Sequence, residues 1–333
     1  MSLDQRVSPD SFVYGEVVRL YRIAQSLRPT TIDRWTGELY ATRADTWGGL
    51  HPKTGVFKLS ADRVLPYLTG ALSPTERRRQ AQALATVLHE ATHGAMLLDA
   101  PTEPNAVRTM HSYGLTEGFA EVRAFADFEL FVRRAGYGGL TLGDPQYPGA
   151  YAAARDLMAH ITGPSCPQNT LIDKVCQGPG VMHFDQFAHA VVANQLNELT
   201  HRDRPTQRAV RAQLIEPMLH NHWPTLPGAS AATGQMVARE IRSDLDAKVD
   251  ELLHHYRLTV PHHAGGDRPT PASERRPASS AARQDTLEGL RFLASQPPPT
   301  GAITHRPQLG QGTRYATPTT DPRTRKGQSP LRD

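Results

Sequence analysis

The sequence lacks any long run of apolar residues. Nowhere in its 333 residues is there a stretch of about 18 apolar side chains, the length that suggests a membrane-spanning helix. The N-terminus, Met1 to Arg6, has no basic segment followed by an apolar one, so no secretory signal peptide is predicted. These absences predict a protein without membrane contact that resides in the cytoplasm, with export by a route that needs no such signal left open.

Cysteine is scarce as well. The two cysteines, Cys166 and Cys176, share a segment rich in proline and glycine between Gly163 and Gly180. Their separation is wider than the close spacing of a zinc knuckle. The pair is compatible with a local disulfide or with two ordinary loop thiols, and the sequence leaves this choice open.

Charge is unevenly distributed along the chain. Residues 261–333 carry 11 Arg and Lys against 6 Asp and Glu, a net of +5, which leaves −1 for residues 1–260 because the whole chain is at +4. This final segment also holds 11 of the 27 prolines, and such a composition cannot bury enough apolar surface to order itself. We therefore predict one globular domain over residues 1–259 and a disordered tail over 260–333. No aromatic interleaving or motif accompanies the basic charge, so no nucleic-acid partner is predicted.

A long helix is predicted after Ser73. Ser73 fits an N-cap, Pro74 the first helical position and Glu76 the carboxylate of a capping box. An apolar stripe with spacings of three and four follows, which is the period of a packed helix; its members are Leu84, Val87, Leu88, Ala91 and Ala95.

Within this helix the sequence reads His89-Glu90-x-x-His93. Residues four apart lie on the same face of a helix, so the two imidazoles can bind one metal ion. Glu90 would lie beside that ion, where it could hold and deprotonate an activated water. A core helix with two satisfied histidines is the alternative interpretation.

A carboxylate pair downstream offers the ligand that two histidines leave missing, since catalytic zinc sites usually have three protein ligands. Glu117 lies in the segment Leu115 to Glu121, which opens a second apolar-periodic helix. Glu121 follows one turn later on the same face. From there it could accept a hydrogen bond from a ligating imidazole and fix its tautomer.

Together these two motifs resemble the gluzincin branch of the zincin metallopeptidases. The resemblance covers the stretch from Ser73 to Leu130 and implies that Zn²⁺ is bound by His89, His93 and Glu117. It also implies that Glu90 is the general base and that Glu121 supports a histidine from outside the ligand set. The expected substrate is a peptide or protein. In zincins an edge strand of a small sheet binds extended peptides by strand addition.

Asp99 is a competing third ligand. It stands six residues after His93, where the metzincin branch places its last ligand. That arrangement requires glycine three residues after the second histidine to turn the chain sharply, and here the position holds Met96. The sequence therefore favours Glu117.

The remaining pattern predicts an α+β, mainly helical fold. A first helix is predicted from Ser11 to Leu27, and Gly37–Thr42 and Thr54–Ser60 have strand-type residues typical of a small N-terminal hairpin. Beyond the two motif helices, the apolar spacing predicts a helical C-terminal part with helices over 148–161, 183–199 and 234–258. With the resemblance, this describes a zincin-like domain. Oligomeric state is not indicated.

Peptide hydrolysis also needs a group that stabilises a negative tetrahedral intermediate. Tyr147, Tyr151, His160 and His183 all lie downstream of the motifs, and Tyr151 is our candidate. Two other functions fit the same residues. Two histidines and a carboxylate also form the facial triad of iron oxygenases and hydroxylases, and a helical binding protein without catalysis would need no role for Glu90.

Overall fold

Helices dominate the structure, and one small sheet accompanies them. A computed structural model describes residues 4–69, 72–197 and 203–259, so the predicted tail and the domain boundary at its start lie outside the described residues. The helices are α1 (Phe12–Leu27), α2 (Arg77–Gly94), α3 (Met110–Arg134), α4 (Pro148–Ile161), α5 (Gln168–Cys176), α6 (His183–Gln195), α7 (Arg204–Ile215) and α8 (Ala231–Thr259). The prediction of a mainly helical α+β fold is confirmed at this level.

The sheet contains β1 (Asp4–Arg6), β2 (Leu39–Thr42), β3 (Gly48–Leu50) and β4 (Phe57–Ser60), in the order β1-β2-β4-β3. β2 and β4 are parallel, whereas β1 and β3 pair antiparallel at the two edges. The predicted hairpin is therefore wrong, because parallel strands cannot be joined by a tight turn. The connection between β2 and β4 instead contains β3, which becomes the edge strand beside β4.

Helix starts follow the sequence signals in one case and depart from them in another. Ser11 caps α1, since its Oγ accepts a hydrogen bond from Tyr14 N–H at 3.2 Å. The predicted start of α2 at Pro74 is wrong, because residues 74–76 form a turn and the helix begins at Arg77. The Glu76 carboxylate nevertheless reaches back to Ser73, whose hydroxyl donates to it at 2.5 Å.

Two clusters of buried apolar side chains form the core. One lies among the sheet, α1, α2 and the C-terminal half of α3, and the other lies among the N-terminal half of α3 and helices α4 to α8. α3 contributes to both, with Phe119 in the second cluster and Phe131 in the first. The helix that carries Glu117 is thus held on both sides.

A glycine lets α3 and α4 approach closely just after Glu117. A Cβ atom at Gly118 would lie 2.3 Å from the carbonyl oxygen of Ala150, a distance that no side chain tolerates. The close contact fixes Glu117 relative to α4 and to the residues that precede it. Gly118 therefore has a packing role beside the predicted ligand.

A buried arginine joins α1, α2 and α3. Arg123 is fully buried; its Nη1 donates to Thr92 Oγ1 at 3.0 Å and its Nη2 to the Ala24 carbonyl at 2.7 Å. Its Nε lies 3.4 Å from Asp127, which also pairs with Arg28. Thr92 precedes His93, so this network joins α2 at the residue next to a motif histidine.

Both cysteines are free and buried. The segment that contains them is more ordered than the predicted loop, because residues 168–176 form α5 and Cys176 is its last residue. Burial raises the pKa of the Cys176 thiol to about 11, against the opposing charges of Arg123 and Arg28. These thiols serve as small core residues.

The described helices include none that is long and apolar enough to cross a membrane. The last three predicted helices correspond to α4, α6 and α8, with α6 ending at Gln195 and α8 beginning at Ala231. α7 was not predicted from the apolar pattern. An Asp203 side chain caps it by accepting the Thr206 N–H at 2.8 Å.

Candidate metal centre

Two elements bring three potential metal ligands together. His89 and His93 lie one turn apart on α2, and their Nε2 atoms are 3.1 Å apart. Glu117 projects from α3, with its Oε2 3.2 Å from His89 Nε2 and 3.7 Å from His93 Nε2. One donor atom from each residue lies within 4.8 Å of the other two. The predicted ligand set therefore forms a single cluster of nitrogen and oxygen donors.

The burial of the cluster is graded. His89 is 2% exposed, whereas the His93 side chain is 16% exposed. The Glu117 side chain is 12% exposed, close to the value for His93. His93 and Glu117 thus lie on the solvent side of the cluster, from which an approaching molecule can reach the donors.

Glu121 and the backbone of Gln146 support His89 from behind. His89 Nδ1 lies 3.1 Å from Glu121 Oε1, although the two groups are not aligned for a full hydrogen bond. Gln146 N–H donates to the other oxygen of Glu121 at 3.3 Å, and the Gln146 amide side chain donates to Thr86 on α2 at 2.6 Å. Glu121 is therefore where the sequence placed it, one turn beyond Glu117 and beside the far nitrogen of His89.

Glu90 faces the sheet. It is 5% exposed, and its Oε2 accepts a hydrogen bond from Leu50 N–H of β3 at 2.9 Å. β3 can lie this close to α2 because Gly48 has no side chain; a Cβ there would meet Thr86 Cγ2 at 3.0 Å. The carboxylate is consequently held between the motif helix and the edge strand.

Three buried carboxylates create an excess of negative charge at this place. In the described part of the chain, the hydrogen bonds and ion pairs of Glu90, Glu117 and Glu121 are to His89, His93 and two backbone amides. Burial alone would lower the pKa of His89, but the neighbouring carboxylates raise it well above its usual value. Burial likewise opposes ionisation of Glu117, but His93 and His89 hold its pKa far below normal. The cluster demands positive charge, which protonated histidine or a bound cation can supply.

The pKa of Glu90 is shifted in the opposite direction. Burial raises it, and the negative charge of Glu117 adds to this, while His89, His93 and the Leu50 amide act against it. A carboxylate with a raised pKa is better able to accept a proton near neutral pH than one with the usual value. The position and environment of Glu90 suit a general base.

Tyr147, rather than Tyr151, contacts the cluster. The Tyr147 ring centroid lies 5.5 Å from that of His89. Tyr151 instead packs on Phe125 at 4.7 Å, with the Arg155 guanidinium 5.3 Å from its ring centroid. The two tyrosines are one turn apart at the start of α4, and the sequence pattern held no feature that ranked one above the other.

The other two candidates have separate partners. His160 Nε2 lies 2.7 Å from Asp246 on α8, so its ring is engaged between two helices. His183 is fully buried, with Nδ1 3.1 Å from Thr116 Oγ1 and its ring against Phe119. Burial lowers the pKa of His183 to about 3, so this imidazole is neutral.

The hydrogen-bond partners of Asp99 are residues other than the three potential ligands. Its Oδ1 accepts a hydrogen bond from Arg108 Nε at 2.9 Å and also one from Ala100 N–H at 2.8 Å. Met96, at the position where a metzincin needs glycine, is buried. Among the described residues, the only group of three or more donors gathered for a metal is His89, His93 and Glu117.

Sequence reasoning missed the two backbone donors at the site. Leu50 and Gln146 act through their backbone N–H groups. Every residue except proline has such a group, so a side-chain motif cannot predict these donors. Comparison of the chain with protein-family models, curated proteins and solved structures gives no match. The functional argument therefore depends on the site itself.

Proposed function

We propose that this protein is a zinc-dependent peptidase of the gluzincin type. The observation that carries the proposal is that one helix motif supplies both the histidines of a potential metal site and a buried carboxylate beside it. His89, His93 and Glu117 offer three donors to one ion, while Glu90 is held beside them with its pKa raised. The donor set of two imidazoles and one carboxylate suits zinc, which catalytic sites commonly bind in this combination.

The residues of the chain divide the chemistry among them. When bound, zinc supplies Lewis acidity that activates water and polarises a carbonyl group. Glu90 takes the proton from the attacking water and later delivers it to the leaving amine, as general base and then general acid. Glu121, which Gln146 N–H holds in place, lies beside His89 Nδ1 and would leave Nε2 as the nitrogen available to hold the ion. An edge strand, β3, lies directly beside this machinery, where an extended peptide can add to the sheet.

Tyr147 is the proposed donor to the negative tetrahedral intermediate. Burial, reinforced by the charges of Glu117 and Glu90, raises the pKa of its phenol, so the hydroxyl keeps its proton and can donate a hydrogen bond. Its ring already contacts His89. This assignment replaces Tyr151 in the proposed mechanism.

The Tyr147→Phe variant should lose about 10²- to 10³-fold in kcat, the usual effect of removing one donor to an oxyanion. Its zinc content should stay unchanged. Tyr151→Phe is the matched control because it lies one turn away on α4 and removes the same hydroxyl; its kcat should stay within about twofold of the wild type. Equal losses in the two variants would contradict the assignment.

Metal content is the direct test of the proposed function. Mass spectrometry of the purified protein should find about one zinc per chain, in keeping with a mononuclear site. Glu117→Ala should lose this zinc because the ion is left with two protein ligands. Asp99→Ala should retain it, since Asp99 pairs with Arg108.

Other outcomes distinguish the alternatives. Iron with oxygen-dependent turnover would favour an oxygenase, and loss of zinc in Asp99→Ala alone would favour the metzincin arrangement. No metal after purification without chelators would leave a helical binding protein. If zinc is present, a library of quenched fluorogenic peptides should be cleaved, and a chelator should stop the cleavage until zinc is restored.

A further inference from the structure

The hydrogen-bonding directions of β3 follow from its pairing with β4. Ser60 N–H donates to the Trp47 carbonyl at 2.9 Å, and His51 N–H donates to the Val56 carbonyl at 2.8 Å. Gly49 lies opposite Lys58, so residues 47, 49 and 51 direct their polar groups toward β4. In an antiparallel ladder the intervening residues point the other way. Gly48 and Leu50 therefore present their N–H and C=O groups at the free edge of the sheet.

One of these outward groups is already used by the catalytic motif. Leu50 N–H donates to Glu90 Oε2 at 2.9 Å. The other oxygen of the carboxylate is left for the proton transfer that the proposed function assigns to Glu90. The helix and strand also approach closely here, because Gly48 lies against Thr86 and a Cβ atom at this position would make a tight contact of 3.0 Å with Thr86 Cγ2.

We propose that the Leu50 amide is a positioning group for Glu90, and that it thereby limits which groups of β3 an extended peptide can pair with. A peptide along this edge can use the N–H and C=O of Gly48 and the C=O of Leu50. A peptide carbonyl that took Leu50 N–H would have to displace Glu90. The role of Glu90 as a base rests on the proposed function, whereas the contact between strand and carboxylate can be tested without it.

The physical reason for such an anchor is orientation. A glutamate side chain has several rotatable bonds, and a general base must lie within hydrogen-bond reach of the proton that it removes. A charge-assisted hydrogen bond from a backbone amide is strong and directional. Because the amide belongs to a strand paired with β4, it moves little, and one carboxylate oxygen is fixed while the other remains available.

Proline at position 50 removes this donor. Leu50 N–H takes no part in the ladder with β4, so proline leaves the hydrogen bonds between the two strands intact. Because this N–H faces Glu90, the Cδ atom of proline also pushes the carboxylate out of its present place. The residue before it is Gly49, the residue type least restricted by a following proline. Leu50→Ala is the control, because it shortens the same side chain and keeps the N–H.

The kinetic test compares Leu50→Pro with Leu50→Ala in the zinc-loaded full chain. Leu50→Pro should lose about 10- to 100-fold in kcat, as expected for a misplaced catalytic group. Its KM should stay within about threefold and its zinc content unchanged, which a general disturbance of the fold would not give. Leu50→Ala keeps the N–H, so any loss in kcat caused by the shortened side chain should be several-fold smaller than the loss in Leu50→Pro. Full kcat in a folded Leu50→Pro would overturn the proposal.

Amide hydrogen exchange tests the contact whether or not Leu50→Pro folds and whether or not peptides are cleaved. In ¹⁵N-labelled full-length protein, Leu50 N–H should exchange slowly, and Glu90→Ala should accelerate its exchange by about tenfold or more. Glu90→Gln should preserve the protection because the amide oxygen still accepts. His51 N–H, bonded to Val56 inside the sheet, is the internal reference and should not change. Equal exchange of Leu50 in the wild type and in Glu90→Ala would refute the positioning role, whereas absent peptidase activity with protected Leu50 would refute only the proposed function.

Discussion

Glu90→Gln should lower kcat for peptide hydrolysis by about 10²- to 10⁴-fold, the range expected when a general acid–base group is removed. Glutamine has the same shape and can still accept the Leu50 N–H through its amide oxygen. It cannot take a proton from water at neutral pH. The loss should therefore appear in kcat, while KM and the fold change little.

Zinc content separates this expectation from loss of the metal. Glu90 is not one of the three gathered donors, so Glu90→Gln should bind zinc as the wild type does, whereas Glu117→Ala should not. The contrast requires quantification of zinc and measurement of kcat on the same preparations. If Glu90→Gln retained full activity, Glu90 would not be the base, and the helical binding protein or the oxygenase would become the better explanation.

The pH dependence of activity is a second test of the role of Glu90. The raised pKa of Glu90 means that its carboxylate becomes protonated at a higher pH than an ordinary glutamate as acidity increases. Activity of the wild type should accordingly fall on the acidic side when this group gains its proton. The small residual activity of Glu90→Gln should not show this fall at acidic pH, because glutamine has no carboxylate to protonate.

The predictable part of the site is the part that depends on helix geometry. His89 and His93 are four residues apart, and so are Glu117 and Glu121; each spacing fixes a shared face before any tertiary structure is known. Helix geometry does not say which helices pack together. The two histidines of α2 lack a third protein ligand, however, and this suggested that α2 packs against the helix that carries Glu117. The structure brings these four side chains together.

The parts that could not be predicted depend on long-range pairing or on the backbone. Whether 39–42 and 57–60 pair as a hairpin or in parallel depends on where the intervening chain travels, and the short strand at Gly48–Leu50 has two glycines that give no strand signal. Tyr147 directly precedes α4 and Tyr151 lies in its first turn. Which of the two contacts His89 and which packs on Phe125 depends on how α4 lies against α2 and α3.

Helix starts were predicted only approximately. α3 begins at Met110, five residues before the predicted Leu115. The prediction missed this first turn because residues 110–114 lack the apolar period. Ser73 and Glu76 do interact as a capping pair, but the intervening residues form a turn. Local side-chain hydrogen bonds can therefore be read correctly while the boundary of the helix is misplaced.

Arg123→Met should reduce the free energy of unfolding by about 3 kcal/mol or more, in the range observed when one partner of a buried ion pair is removed. The guanidinium is fully buried and bonds Thr92 on α2 and the Ala24 carbonyl in α1. Methionine matches the length of the side chain but donates a hydrogen bond to neither acceptor, although Thr92 Oγ1 keeps its bond to the Leu88 carbonyl at 2.9 Å. Asp127 keeps its pair with Arg28, which favours the lower part of the range.

Arg133→Met is the matched control, since Arg133 lies on the same helix and is 68% exposed, and its one ion pair with a described residue is a 4.0 Å contact with Glu129. Such an exposed pair contributes well under about 1 kcal/mol. Urea denaturation followed by circular dichroism should show a lower midpoint for Arg123→Met alone. A similar midpoint in the two variants would mean that the buried network contributes no net stability. If only Arg123→Met is destabilised, its zinc affinity shows whether the same network also holds His93, because Thr92 is its neighbour in the motif helix.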